Sequence, residues 1–217
     1  MGIPLLDRYC VKATFFVSPY NVEQRLEGWR AASRAGHEIG NHTLTHPCTG
    51  NLPFSRNNAL EEYTLEEMAR NIDDATAEIE RLLSVKPAAF AYPCGQDFVG
   101  RGASLQSYVP LVAVRFETGR KWLSEDSNDP GFCDMAQLMA VECDGKTFGQ
   151  LLPIIQQTRD RGRWLILAGH ETAGSGFQTT HLKTLEKVCR YCQDPKNGLW
   201  MDTVGNVSAY IRAQRSP

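Results

Sequence analysis

The sequence predicts an α/β fold of parallel strand–helix units, closed into a barrel or laid out as a doubly wound sheet. Three observations point there. Short apolar, β-rich segments alternate with amphipathic helical stretches along all 217 residues, the order expected when a crossover helix follows each strand. Segments such as Trp164-Leu-Ile-Leu-Ala168 are near-continuous apolar runs, as strands covered on both faces should be. No internal repeat, low-complexity stretch or linker divides the chain. One domain over residues 1–217 is therefore expected, large enough to bury roughly 70% of the unfolded chain's surface.

Each element has its own signal. Lys12–Val17 is the first strand, and Asn21–Ala35 a helix with Val22, Leu26 and Trp29 at helical spacing and Gly36 as its stop. Glu38–Thr43 is a short strand that runs into a histidine-bearing turn. The polar stretch Cys48–Tyr63 is long enough to be a functional or mobile loop. Thr64 and Glu67 form a capping-box pattern ahead of a helix whose buried stripe is Leu65, Met68, Ile72, Ala75, Ile79 and Leu82. Strands are expected at Ala88–Pro93, Leu111–Phe116, Leu138–Glu142, Trp164–Ala168 and Leu199–Asp202. Helices are expected at Thr147–Arg161, Thr179–Tyr191 and Val204–Ala213, with Glu117–Pro130 as an Asn/Asp/Ser-rich loop.

Composition narrows the function. A net charge of −2 gives no reason to expect a nucleic-acid or anionic-membrane partner. No apolar run approaches the ~18 residues of a membrane span, and Met1–Asp7 lacks the basic start and apolar core of a secretory signal. Seven scattered cysteines do not make a paired disulfide framework. Cys189 and Cys192 form a C-x-x-C inside a helical stretch, where buried thiols are the expected reading.

The chemistry-bearing residues fall at strand ends. His42 and His46 lie four apart in Gly36-His-Glu-Ile-Gly-Asn-His-Thr-Leu-Thr-His46, a spacing that can aim both imidazoles at one divalent metal. Tyr92-Pro-Cys-Gly95 follows one proposed strand and His170 follows another. In parallel α/β folds the C-terminal edge of the strands is where active sites form. Taken together they suggest a metal centre, a turn offering backbone N–H donors, and a separate histidine as acid or base.

These segments resemble the polysaccharide deacetylases, the nodulation-deacetylase-like carbohydrate esterases, over almost the whole chain. Ala13-Thr-Phe-Phe16 is similar to the family's early strand, and His42-Thr-Leu-Thr-His46 to its H-[S/T]-x-x-H metal motif. Phe90-Ala-Tyr-Pro-Cys-Gly95 resembles its F-R-P-P-Y-G turn, Leu167-Ala-Gly-His170 its L-x-x-H, and Trp200–Ile211 its C-terminal segment. The resemblance implies a distorted TIM-like (β/α) barrel that binds a divalent metal, usually zinc, and hydrolyses N-acetyl or O-acetyl groups on an acetylated polysaccharide or oligosaccharide such as chitin or peptidoglycan. It implies His42 and His46 as metal ligands, and the Cys94 N–H as an oxyanion donor. It further implies His170 as the acid that protonates the leaving amine, with Leu167 and Tyr92 at the substrate pocket. The substrate is expected across the face holding His42, His46, Tyr92 and His170, rimmed by Cys48–Tyr63 and Glu117–Pro130.

Two departures accompany the resemblance. The family's T-F-D-D-G motif, source of the general base and a third ligand, would precede Ala13 and has no counterpart; Asp7 does not match it, and Asp73-Asp74 read as a solvated helix face. The expectation is a barrel lacking its first strand, with Lys12–Val17 at an open edge and impaired activity. The arginine that would steady the base is replaced by Ala91. A non-catalytic glycan-binding barrel and another metal-dependent amidohydrolase are the alternatives.

Overall fold

A computed structural model describes residues 2–215. Its helices are α1 (Gly2–Arg8), α2 (Pro19–Glu23), α3 (Leu26–Arg34), α4 (Leu65–Leu83), α5 (Val109–Ala113), α6 (Phe148–Asp160), α7 (Leu182–Gln193) and α8 (Val204–Arg215). Its strands are β1 (Thr14–Val17), β2 (Glu38–Asn41), β3 (Ala89–Ala91), β4 (Phe98–Val99), β5 (Gln106–Ser107), β6 (Thr118–Arg120), β7 (Val141–Glu142), β8 (Leu167–Ala168), β9 (Glu171–Ala173) and β10 (Thr179–His181). The chain divides into two compact units, Thr14–Lys121 with Asp134–Leu138, and residues 2–13, 122–133 and 139–215.

The first unit is built on a parallel sheet of order β1-β2-β3-β6. Among the described residues β1 pairs only with β2, so it forms one edge of that sheet, as expected. The Thr64 capping box is present in both directions and opens α4. That helix turns Met68 and Ile72 onto Phe90 and Tyr92 of the β3 segment, and Ile79, Leu82 and Leu83 onto Val17 and Ile39. Each such side chain, fully buried, contributes roughly 1.5–3 kcal/mol of transfer free energy. The Phe90 ring stacks on Phe116 and meets Tyr92 edge-on, both at 5.2 Å between centroids.

Several boundaries move. The helix expected over Asn21–Ala35 is two, α2 and α3, because Arg25 leaves helical backbone (φ −143°, ψ 44°). The histidine strand stops at Asn41 because Thr43 adopts φ 64°, which no strand residue can. Leu111–Phe116, expected as a strand, carries α5 instead: Pro110 sits in the first helical turn, where its missing N–H costs nothing, and Val112 and Phe116 fall on one buried face. The strand belongs to Thr118–Arg120, within the expected loop. Its Gly119 is required by space, since a Cβ there would lie 2.7 Å from the Ala136 carbonyl oxygen and 2.8 Å from Val112. The stretch Cys48–Tyr63 is tied down by two short 3₁₀ turns, by the Leu60 N–H to the Cys48 carbonyl, and by Glu61, which accepts from Thr49 and Gly50.

The second unit holds two parallel pairs, β7 with β8 and β9 with β10. Helix α6, with a Thr147–Gln150 capping box, packs Leu151 and Ile155 against Cys143 and against Val188 of α7. Thr179–His181, expected to open that helix, is extended and forms β10. Among the described residues Leu199–Asp202 makes no strand; Leu199 and Met201 pack on the same cluster. As expected, Cys189 is a buried thiol on α7, and burial pushes it and Cys192 up to about 11. The buried Asn128 side chain donates to the Met139 and Trp164 carbonyls and accepts from the Met139 N–H, which orders the Asn/Asp-rich loop.

Candidate active site residues

The histidine turn begins on a buried asparagine. Asn41, fully inaccessible, donates from Nδ2 to the Ile72 carbonyl (3.1 Å) and Thr76 Oγ1 (2.9 Å) and accepts the Thr43 N–H on Oδ1 (2.7 Å). Asn71 on α4 accepts the Leu44 N–H (2.9 Å) and donates to Thr45 Oγ1 (2.7 Å). Thr43 Oγ1 accepts the His46 N–H at 3.0 Å. Thr43 and His46 both sit in the left-handed region, at φ 64° and 52°. For a β-branched threonine that is a true outlier, held only because its surroundings over-determine it.

The turn brings the two imidazoles together, with ring centroids 4.7 Å apart and planes near perpendicular. His42 Nδ1 lies 2.8 Å from the Ala91 carbonyl oxygen. A carbonyl only accepts, so Nδ1 carries the proton and Nε2 is in the ligand form, the arrangement typical of metal-binding histidines. The donor chemistry therefore suits a divalent ion.

The second turn, Pro93–Gly95, places Cys94 at φ 52°, ψ 15°. Cys94 is bridged to Cys48, a pairing that separation by 46 positions hid from the sequence. His46 Nδ1 lies 3.7 Å from Cys48 Sγ, and the ligand atoms of His46, Cys48 and Cys94 all fall within 4.8 Å of one another. Tyr92 corrects an expectation. Its side chain is fully buried and donates to the Ala136 carbonyl (2.7 Å), and burial pushes its phenol well up, so it is a core residue rather than a pocket wall. Tyr92 shapes the turn through its backbone, donating to the Arg120 carbonyl and accepting from the Gly95 N–H.

Arg120 is a residue the sequence reading passed over. It pairs in register with Ala91, is nearly inaccessible, and lays its guanidinium over the Phe16 ring at 4.6 Å. Within a stretch that looked like loop, nothing marked it.

In the other unit His170 is exposed, and its Nδ1 lies 2.7 Å from Asp144 Oδ2. Asp144, 4% exposed in its side chain, also accepts the His170 N–H (3.1 Å) and the Thr180 hydroxyl (2.8 Å). Trp122 meets the imidazole edge-on at 4.9 Å. A carboxylate on Nδ1 fixes the tautomer and leaves Nε2 for proton transfer. Asp144 lies two residues past the end of β7, and an acidic residue just past a strand end is the readable signal. Leu167, on β8, is partly buried against the Cys143 cluster.

The polysaccharide deacetylase family profile matches residues 2–103. The sequence is 32% identical over 93 residues to the uncharacterized protein YlxY of Bacillus subtilis, covering 43% of this chain and 26% of that protein. It is 30% identical over 132 residues to chitin deacetylase 1 of Cryptococcus neoformans, covering 58% of this chain and 26% of that one. The chain thus spans about a quarter of the length of these curated relatives. The fold matches a putative polysaccharide deacetylase of Mycobacterium smegmatis with a TM-score of 0.66 at 16% identity, covering 100% of this chain and 78% of that one. That likeness establishes the α/β, TIM-like barrel type of fold.

Proposed function

We propose that this chain hydrolyses acetyl groups, N-linked or O-linked, on a polysaccharide of the chitin or peptidoglycan kind, with a divalent metal, zinc as the resemblance implies, held by His42 and His46. The observation that carries the reading is the His42–His46 turn. Its rings lie 4.7 Å apart, His42 Nδ1 is occupied by a carbonyl, and the intervening backbone is held in left-handed conformations. When bound, such an ion lowers the pKa of water and polarises an acyl oxygen. The protein's own part is distributed as follows. In the first unit the Cys94 N–H is the proposed oxyanion donor; Leu167, in the second, keeps the acetyl-contact role that the resemblance implies. His170, oriented by Asp144 through Nδ1, takes up a proton at Nε2 and passes it to the leaving amine.

Among the described residues, the ligand-type group around His46 contains two cysteines and no carboxylate. A positioned general base contributes typically 10²–10⁴-fold, so turnover should be slow. The test is acetate release from acetylated chitooligosaccharides and peptidoglycan, with zinc and with chelator. Slow, zinc-dependent release that His170→Ala removes supports the reading. Glycan binding with no release under any condition supports a non-catalytic glycan-binding barrel instead, and release from small amides alone supports a different amidohydrolase.

A further inference from the structure

We propose that Cys48 and Cys94 are a redox-switched ligand pair. Bridged, they join the histidine turn to the Pro93–Gly95 turn; reduced, they combine with His46 into a three-ligand site for zinc or another thiophilic divalent ion. The proposal goes beyond the deacetylase reading, which uses His42 with His46 and needs no thiol.

The geometry is close to that of a metal site. Tetrahedral zinc with Zn–S of about 2.3 Å and Zn–N of about 2.0 Å places a sulfur and a nitrogen ligand about 3.5 Å apart, and two sulfurs about 3.8 Å apart. Cys48 Sγ and His46 Nδ1 already lie at 3.7 Å, and all three ligand atoms sit within 4.8 Å of one another. The two sulfurs, bonded to each other here, have to part. His46 and Cys94 are both held in left-handed backbone, at φ 52° each. Two independent turns are thus fixed in uncommon conformations where their side chains converge. A Cys₂His set leaves a fourth position open, as zinc sites that act on a substrate do.

The redox step balances with an external reductant. A phosphine such as tris(2-carboxyethyl)phosphine breaks the S–S bond. Each sulfur leaves as a thiol, and the phosphine becomes its oxide with the oxygen of one water. Zinc binding then releases both thiol protons, because only thiolate ligates. Re-forming the bridge by exchange with a small-molecule disulfide passes two electrons from the thiolates to that disulfide, which leaves as two thiols, and expels the ion. By linkage, zinc at about 100 times its Kd holds the reduced form 100-fold more strongly, which raises the midpoint potential of the pair by about 59 mV.

The experiment is differential alkylation of the full chain. Phosphine-reduced chain, desalted without oxygen, is treated with iodoacetamide with and without zinc, and each cysteine is followed by peptide mass spectrometry. Zinc should slow modification of Cys48 and Cys94 together, by on the order of 100-fold, while exposed Cys10 is unaffected. Cobalt(II) should give a thiolate charge-transfer band with the reduced chain and none with the bridged chain. Losing an outer-shell partner already costs 10–100-fold in metal affinity, so reduced His46→Ala, which lacks a direct ligand, should bind roughly 100-fold more weakly or worse. Equal alkylation of Cys48 and Cys94 with and without zinc overturns the proposal, as does protection confined to Cys189 and Cys192. Either failure leaves acetate release from the bridged chain unaffected, so this inference and the deacetylase reading fall separately.

Discussion

Asp144 does for His170 what the Ala91 carbonyl does for His42: each occupies Nδ1 and thereby decides which nitrogen remains for chemistry. Asp144→Asn should keep the fold but offer an amide where the carboxylate accepts. It should lower kcat for acetate release by about 10²–10⁴-fold with little change in KM, and a change confined to KM would show that Asp144 does not act through His170. Asn41 carries a different burden. Its amide makes three hydrogen bonds inside a site with no water access, and Asn41→Ala should destabilise the chain by about 3 kcal/mol, read from the urea midpoint, because each orphaned buried group costs about 1–3 kcal/mol. Asn41 does not announce its role in sequence. Asn41 looked like one polar letter in a histidine motif, and the Cys48–Cys94 bridge joins positions whose only link is the fold.

At the scale of elements, the sequence predicts a strand where α5 lies and a loop where β6 lies, for a physical reason. The apolar run Leu111–Phe116 fits a buried strand and a short buried helix equally well, and periodicity cannot separate them at that length. The readable clue was Pro110, comfortable in a first helical turn and awkward in a central strand. The true strand, Thr118-Gly119-Arg120, carries a glycine chosen for close packing and a buried arginine, so no hydrophobic signal marks it. Gly119→Ala should cost about 1–3 kcal/mol through overpacking, and a thermal midpoint equal to wild type would show that β6 can shift away from Ala136. By contrast α4 was legible from cap to stripe, and Thr64→Ala should cost about 1 kcal/mol.

The same helix holds an acid-sensitive pair. Arg115 donates to both carboxylate oxygens of Asp73, at 2.7 and 2.9 Å, and that hydrogen bonding holds Asp73 below its ordinary value. A carboxylate depressed on folding gives stability that is present above the unfolded value of 3.8 and lost as pH falls through the folded one. The acid limb of a pH–stability profile should therefore flatten in Asp73→Asn, and an unchanged limb would mean that the pair contributes nothing there.

For the molecule as a whole, the alternation of strands and helices, the parallel β1-β2-β3 pairing and the delivery of His42, His46 and His170 past strand ends were all legible in the sequence, because hydrophobic runs and caps record them directly. The support around those histidines was not, since carbonyl contacts, left-handed backbone and a disulfide leave no periodic trace. The most direct test of the function is acetate release from acetylated chitooligosaccharides by the chain, by His42→Ala and by His170→Ala, each with zinc and with chelator. The account predicts slow release that requires zinc and that falls at least 100-fold in both variants. Release that survives both substitutions, or that proceeds equally in chelator, would contradict it.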